Sequence, residues 1–153
     1  MIIIAHRGLI FGPDPFTENH PDYIELALSL GFHVEVDLWV ESEKLFLGHD
    51  RPQYSIDLKF LQQPGIIVHC KNIQALLYCR ISNLHYFWHE HDTVTLTSNN
   101  WIWAYPGKQP IANSIAVLPE INHDDISQCF GICTDYCLEY KHENRYSNNW
   151  TDS

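Results

Sequence analysis

The stretch His33–Val40, "HVEVDLWV", carries side chains that could bind a cation. An imidazole and two carboxylates (His33, Glu35, Asp37) alternate with apolar residues, so a strand here has one apolar face and one polar face. Carboxylates that face solvent would make this an ordinary half-exposed strand. Carboxylates that face inward need a positive charge, because burying two ionised groups without compensation is too costly. The apolar runs around this stretch favour the inward alternative, with Glu35 and Asp37 as ligands of a hard cation.

Further polar side chains stand where other predicted strands end. They are His6, Arg7, His49, Asp50, His69, Lys71, His89, His91, Asp92, Thr134 and Asp135. In a parallel barrel or an open parallel sheet, the carboxyl ends of the strands gather on one side, where ligands bind. We therefore expect one site at this end of the sheet.

Some of these residues keep an ordinary structural interpretation. His6 or His49 alone would be a loop histidine, and the cationic side chains alone would be surface charges. His89 and His91 resemble a metal cluster by residue type, but a direct catalytic role is the less favoured alternative. In "WIWAYPG", Trp103 is either core or part of an apolar wall for a substrate.

The elements that must position these residues are short strands with a few helices. "HPDYIELALSLG" has helical spacing and ends at Gly31, and "NIQALLYCRI" is a second helix with Asn72 as its N-cap. Strand, helix, strand order in the first half indicates parallel pairing. About eight strand candidates predict a compact (β/α)8 TIM-type barrel with several helices shortened or missing, and an open α/β sheet is the main alternative. We expect a single domain over residues 1–153, with 141–153 a polar tail that holds a last helix.

Composition limits the classes of function. The chain has 153 residues, 45% of them hydrophobic, which supports a globular domain, and a formal net charge of −10, which argues against nucleic-acid binding. No apolar run approaches the roughly 18 residues of a transmembrane helix, and no signal peptide is apparent, so we expect a cytoplasmic protein. The five cysteines are expected to be reduced thiols, although Cys129, Cys133 and Cys137 recur every fourth residue.

Taken together, the motifs resemble the glycerophosphodiester phosphodiesterase family, whose superfamily includes the phosphatidylinositol-specific phospholipases C. "IIIAHRG", "TENH", "VEVDLWV", "LGHD" and "HCK" follow one another in the order of that family's motifs, and "GICTDY" resembles the close of its last strand. The similar positions are His6, Arg7, Gly8, Glu18, Asn19, Glu35, Asp37, His49, Asp50 and Lys71. The likeness is close in the first half of the chain and thin in the second.

The resemblance implies a metal-dependent phosphodiester hydrolase of a (β/α)8 barrel fold, with a place in lipid metabolism. By analogy, His6 and His49 serve as general acid and base, and Arg7 and Lys71 bind the phosphate. Glu35 and Asp37 hold Mg²⁺ or Ca²⁺. Glu18, Asn19, His89 and Trp103 are the further candidates for the pocket.

Two departures from the family pattern change these expectations. His69 stands where the family has a third acidic metal ligand, and an imidazole makes Mn²⁺ or Zn²⁺ an alternative to Mg²⁺ or Ca²⁺. The chain is also about 100 residues shorter than a barrel of typical size, so the alcohol part of the substrate is left open. Because some strands would lack a covering helix, their outer apolar faces would be exposed, and we expect a homo-oligomer that buries them. The alternative function is a non-catalytic barrel that binds a phosphorylated metabolite or partner.

Overall fold

The computed structural model describes residues 1–147, which form ten strands and four helices. The strands are β1 Ile2–His6, β2 His33–Glu41, β3 Lys44–Leu47, β4 Tyr54–Ile56, β5 Ile66–Cys70, β6 Tyr86–Trp88, β7 Val94–Leu96, β8 Ile102–Ala104, β9 Ser114–Val117 and β10 Gly131–Thr134. The helices are α1 Pro21–Ser29, α2 Leu58–Leu61, α3 Ile73–Ile81 and α4 Cys137–Ser147. The helix expected in the polar tail is therefore the end of α4, and residues 148–153 lie outside the described part.

All ten strands belong to one curled sheet of mixed direction, shaped like a half-barrel. Seven strands run parallel in the order β8, β9, β10, β1, β2, β5, β6. β3 pairs antiparallel with the second half of β2, β4 extends β3, and β7 pairs antiparallel with β8. The curl brings the segment after β7 to β6, where the Ser98 amide donates to the Tyr86 carbonyl at 2.8 Å.

The expected (β/α)8 barrel is wrong, because only about a fifth of the described residues are helical and the strands are not all parallel. Connection lengths explain the difference. β2 and β3 are joined by Ser42 and Glu43 alone, both with positive φ, which is the two-residue turn of an antiparallel hairpin. The five residues between β6 and β7 are likewise too few for the dozen or more that a parallel crossover needs.

β2 separates two apolar layers because its side chains alternate. Val34, Val36 and Leu38 are fully buried on the convex side, where they pack with residues of α1 and α3. Glu35 lies on the concave side, which also carries a cluster of buried side chains from the other parallel strands: Ile4, Ile67, Phe87, Trp103, Ile115, Val117 and Cys133. The concave layer therefore leads directly to the polar strand ends.

The two helices predicted from spacing are confirmed. Asn72 caps α3 by accepting a hydrogen bond from the Ala75 amide at 2.9 Å, and its side chain also pairs with the backbone of Val40. Gly31 follows the end of α1 with a φ of 89°. None of the helices within residues 1–147 is long and apolar enough to cross a bilayer.

Candidate functional site

The carboxyl ends of β1, β2, β5 and β10 meet at one edge of the concave face. Parallel register puts His6 opposite Glu35, and Asp37 opposite His69. Glu35 and Asp37 are only 2% and 1% exposed, so the inward interpretation of "HVEVDLWV" is the one that the structure shows.

Three side chains lie close enough together to hold a metal ion, and we call them the cation cluster: Glu35, Asp37 and His69. One ligand atom from each residue lies within 4.8 Å of the other two. His69 Nδ1 lies 3.0 Å from Asp37 Oδ1 and 3.8 Å from Glu35 Oε1. The backbone amide of Arg7 donates to Glu35 Oε2 at 3.1 Å, which orients the second carboxylate.

Asn19 fixes the position of Asp37 from behind. Asn19 Nδ2 donates to Asp37 Oδ2 at 2.8 Å, and the Asp37 amide donates back to Asn19 Oδ1 at 2.9 Å. Asn19 is fully buried and has a φ of 60°, a conformation that asparagine tolerates better than most residues. Its role is therefore to hold a ligand in place rather than to line a pocket.

The Arg7 guanidinium ties together three side chains around the site. Its NH1 donates to Glu18 Oε2 at 3.1 Å, its Nε lies 3.3 Å from Asp37 Oδ2, and its NH2 lies 3.3 Å from His49 Nε2. The Nε geometry does not make a hydrogen bond, so the Arg7–Asp37 contact is an ion pair. Glu18 thus orients the guanidinium and does not itself line the cavity.

His6 is paired with Asp135, at the end of β10. Its Nδ1 lies 2.8 Å from Asp135 Oδ1, and its Nε2 lies 3.9 Å from Glu35 Oε2. Since a carboxylate can only accept, this contact places a hydrogen on Nδ1 and leaves Nε2 facing the Glu35 carboxylate. Burial lowers the pKa of His6, but the Asp135 hydrogen bond and the Glu35 charge outweigh burial, and the net pKa is raised.

His49 follows a glycine that the local backbone requires. The Gly48 amide donates to the Asp37 carbonyl at 3.1 Å, and the Gly48 carbonyl accepts from Trp39 Nε1 at 2.7 Å. A Cβ at this position would collide with the carbonyl oxygen of Arg51. The turn directs His49 back to the site, where its Nδ1 lies 3.6 Å from Asp37 Oδ2, beyond hydrogen-bond distance.

The charges around the two carboxylates shift their pKa values in opposite directions. Burial and the negative charge of Asp37 raise the pKa of Glu35. Burial acts to raise the pKa of Asp37 as well, but the imidazoles of His49 and His69 and the charge of Arg7 outweigh it and hold this pKa well below its ordinary range. A cation beside Glu35 would favour its ionised form too, because opposite charges stabilise each other.

These groups surround a cavity of about 550 Å³. Lys71 lines it next to the end of β5, and its backbone amide is held by the Leu38 carbonyl at 2.9 Å. Aromatic rings line the same cavity. Phe87 stacks on His69 with ring centroids 4.9 Å apart, and His89 stacks on Tyr105 at 3.6 Å.

Most residues predicted for the site do come together. Those that line the cavity are His6, Arg7, Glu35, His49, His69, Lys71, His89 and Trp103. Asp37, Glu18 and Asn19 stand directly behind them. Trp103 is only 2% exposed, so it is chiefly core. The cysteines are free, and those at 129, 133 and 137 form no metal cluster within residues 1–147.

The sequence analysis missed Tyr105, and it gave Asp135 a place at the strand ends but no role. Asp135 was placed only at a strand end, although an acid after the last parallel strand must lie close to His6 once β10 pairs with β1. Tyr105 was part of "WIWAYPG", and its neighbour Trp103 was named instead. No local pattern indicates that Tyr105 lines the cavity as Trp103 does.

The donor set fits a divalent cation. The 3.0 Å between His69 Nδ1 and Asp37 Oδ1 matches two ligands at right angles, each about 2.1 Å from an ion. Four carboxylates surround the cluster, against the two cationic side chains Arg7 and Lys71, so the surroundings favour a bound cation. A hydrogen and an ion cannot both lie between these two atoms, and ion binding therefore requires a deprotonated Nδ1.

Comparison of the chain with protein-family models, with curated proteins and with solved structures gave no match. The family resemblance of the motifs therefore stays a prediction. What the geometry defines is a class of site, in which a cluster able to hold a cation adjoins two imidazoles and two cationic side chains.

Proposed function

We propose that this chain is a metal-dependent phosphodiester hydrolase, which cleaves a small glycerophosphodiester-like substrate to an alcohol and a phosphomonoester. The observation that carries the proposal is a single cavity lined by a carboxylate and imidazole of the cation cluster, two further imidazoles and two cationic side chains. These are Glu35, His69, His6, His49, Arg7 and Lys71. Each group has a role in moving a phosphoryl group between oxygen atoms.

His6 is the proposed general base. The Asp135 carboxylate holds the hydrogen on Nδ1 at 2.8 Å, so Nε2 is free to take a proton from the attacking oxygen. The same carboxylate stabilises the imidazolium that results. The Asp135 hydrogen bond and the Glu35 charge raise the pKa of His6, which makes it a stronger base.

His49 is the proposed general acid, which protonates the leaving alkoxide. Its side chain is 35% exposed at the cavity, whereas that of His6 is 15% exposed, so a departing alcohol can reach it and then leave. Asp37 Oδ2, 3.6 Å from Nδ1, stabilises the protonated imidazole. In that form Nε2 carries a hydrogen and no longer accepts from Arg7 NH2, 3.3 Å away, so the guanidinium is released to the phosphoryl oxygens.

Arg7 and Lys71 bind the phosphoryl oxygens, where negative charge increases in the transition state. Glu18 holds the guanidinium of Arg7 in place before the substrate arrives. Glu35, Asp37 and His69 are the residues that would hold a divalent cation, which when bound supplies Lewis-acid stabilisation of the same charge.

The proposal is tested by incubating the purified chain with glycerophosphocholine and with an aryl phosphodiester. Each substrate is offered with Mg²⁺, Mn²⁺, Ca²⁺ or a chelator. We expect turnover that requires a divalent ion and that falls at least about 100-fold in His6→Ala and in His49→Ala. His142→Ala is the matched control, because His142 is an exposed histidine of α4, outside the cavity.

Turnover no higher than that of the His6→Ala and His49→Ala variants would contradict the proposal. Binding of a phosphodiester without any hydrolysis would instead support the non-catalytic alternative.

A further inference from the structure

Tyr105 reaches the cavity from the strand that lies across the sheet from the phosphate-binding groups. It directly follows β8, which is separated from β2 by β9, β10 and β1. Its side chain is half-buried and lines the same cavity as His6, Glu35 and Lys71. Arg7 and Lys71 reach the cavity from the ends of β1 and β5, so Tyr105 approaches it from a different part of the sheet.

The ring of Tyr105 is held in place, but its hydroxyl has no hydrogen-bond partner among residues 1–147. The ring stacks on His89 with centroids 3.6 Å apart and planes at 17°, and the backbone amide donates to the Thr93 carbonyl at 3.1 Å. By contrast, the hydroxyl of Tyr140 contacts Glu120 at 3.5 Å. A positioned, unpaired donor at a cavity wall is suited to a polar ligand.

The hydroxyl remains a donor at neutral pH. Burial raises the pKa of Tyr105, and the negative charge of Glu35 raises it further. A neutral phenol with no acceptor in the described part of the chain meets its hydrogen-bonding requirement through water or through a bound ligand.

We propose that the Tyr105 hydroxyl donates a hydrogen bond to a non-bridging phosphoryl oxygen of the bound diester, alongside Arg7 and Lys71. This inference rests on the proposed function and adds a catalytic residue to it. Tyr105 keeps its proton throughout, and no bond to it forms or breaks. Its contribution is to stabilise the negative charge that grows on this oxygen in the transition state.

Tyr105→Phe tests the inference, because phenylalanine keeps the ring that stacks on His89 and loses only the hydroxyl. Tyr86→Phe is the matched control, since Tyr86 packs on the convex side of the sheet. We expect kcat to fall about 100-fold in Tyr105→Phe with KM changed less than about threefold. The loss should be equal for an alkyl and an aryl diester, because both have the same non-bridging oxygens. Thermal unfolding of each variant checks that the fold is kept.

Unchanged kcat in Tyr105→Phe overturns the inference. A loss confined to the alkyl diester overturns it as well, since that pattern belongs to a group that protonates the leaving oxygen. Binding of orthovanadate, measured by calorimetry, separates this inference from the proposed function. If the natural chain shows no turnover but its vanadate affinity falls about tenfold in Tyr105→Phe, hydrolysis is refuted and the Tyr105 contact with the phosphoryl oxygen is kept. If the natural chain and Tyr105→Phe bind vanadate equally, or if neither binds it, the proposed hydrogen bond from Tyr105 is refuted.

Discussion

Replacing Asn19 tests whether this buried amide holds the cation cluster together. Asn19→Ala removes the hydrogen bond to the Asp37 carboxylate and the one from the Asp37 amide. It also leaves a buried charge with one partner fewer. Each lost bond costs about 1–3 kcal/mol, with the bond to the charged group at the upper end. The φ of 60° adds about 1 kcal/mol, because alanine is strained in the left-handed region. We therefore expect Asn19→Ala to lower the free energy of unfolding by about 4 kcal/mol.

Asn19→Gly separates the two contributions. Glycine loses the same hydrogen bonds but adopts the left-handed conformation without strain. Its free energy of unfolding should therefore fall by about 1 kcal/mol less than that of Asn19→Ala. Urea unfolding, followed by fluorescence and circular dichroism together, measures both variants against the natural chain.

If Asn19→Ala lowers the free energy of unfolding by less than about 1 kcal/mol, with the slope of that free energy against urea concentration unchanged, Asn19 does not hold Asp37 as described. Losing two buried hydrogen bonds would cost more than that. A larger loss for glycine than for alanine would refute the argument from backbone conformation.

Three other predictions follow from the same contacts. Asp135→Asn should lower kcat by about 100-fold or more and should lower the pKa of His6, because an amide does not stabilise the imidazolium as a carboxylate does. An unchanged pH profile of kcat would show that Asp135 does not assist His6. Burial, with the nearby His33, lowers the pKa of His85 to about 4, so its contribution to stability is complete above about pH 6.5 and is lost as the pH falls towards 4. His85→Gln should therefore flatten the pH dependence of the urea midpoint between pH 7 and pH 5, and an equally steep curve would contradict this. The side chains of Ile73, Leu77 and Ile81 are 63%, 51% and 79% exposed along one stripe of α3, so we expect self-association that Leu77→Lys abolishes; a natural chain that is strictly monomeric in light scattering at high concentration would rule it out.

The sequence predicted the parallel centre of the fold because alternation and strand order are local signals. "HVEVDLWV" showed which face of β2 would carry Glu35 and Asp37. The helix spacing and caps likewise placed α1 and α3. Once β1, β2 and β5 are parallel neighbours, His6, Glu35 and His69 must lie close together.

The direction of the shorter strands could not be predicted in the same way. A run of three or four apolar residues does not show whether its partner is parallel or antiparallel. β3, β4 and β7 are three or four residues long, so their sequences show neither the direction of the strand nor its partner. The two-residue turn before β3 was the available signal, because it cannot hold a crossover.

Contacts between residues far apart in the sequence could not be predicted from local patterns either. His6 and Asp135 lie 129 positions apart, and only the pairing of β1 with β10 brings them together. Asn19 was expected at the pocket because of its place in the motif. Its burial behind Asp37 depends on the left-handed turn that directs its side chain inward.

The central claim, a cation-dependent hydrolase at the Glu35, Asp37 and His69 cluster, is tested most directly by titrating Mn²⁺ into the metal-free chain. Bound metal and turnover of an aryl phosphodiester are measured in the same samples. The account predicts that turnover rises in proportion to bound Mn²⁺, reaches its maximum when the cluster is filled, and stays absent in Asp37→Asn. Full turnover without bound metal, or stoichiometric Mn²⁺ binding without any turnover, would contradict it.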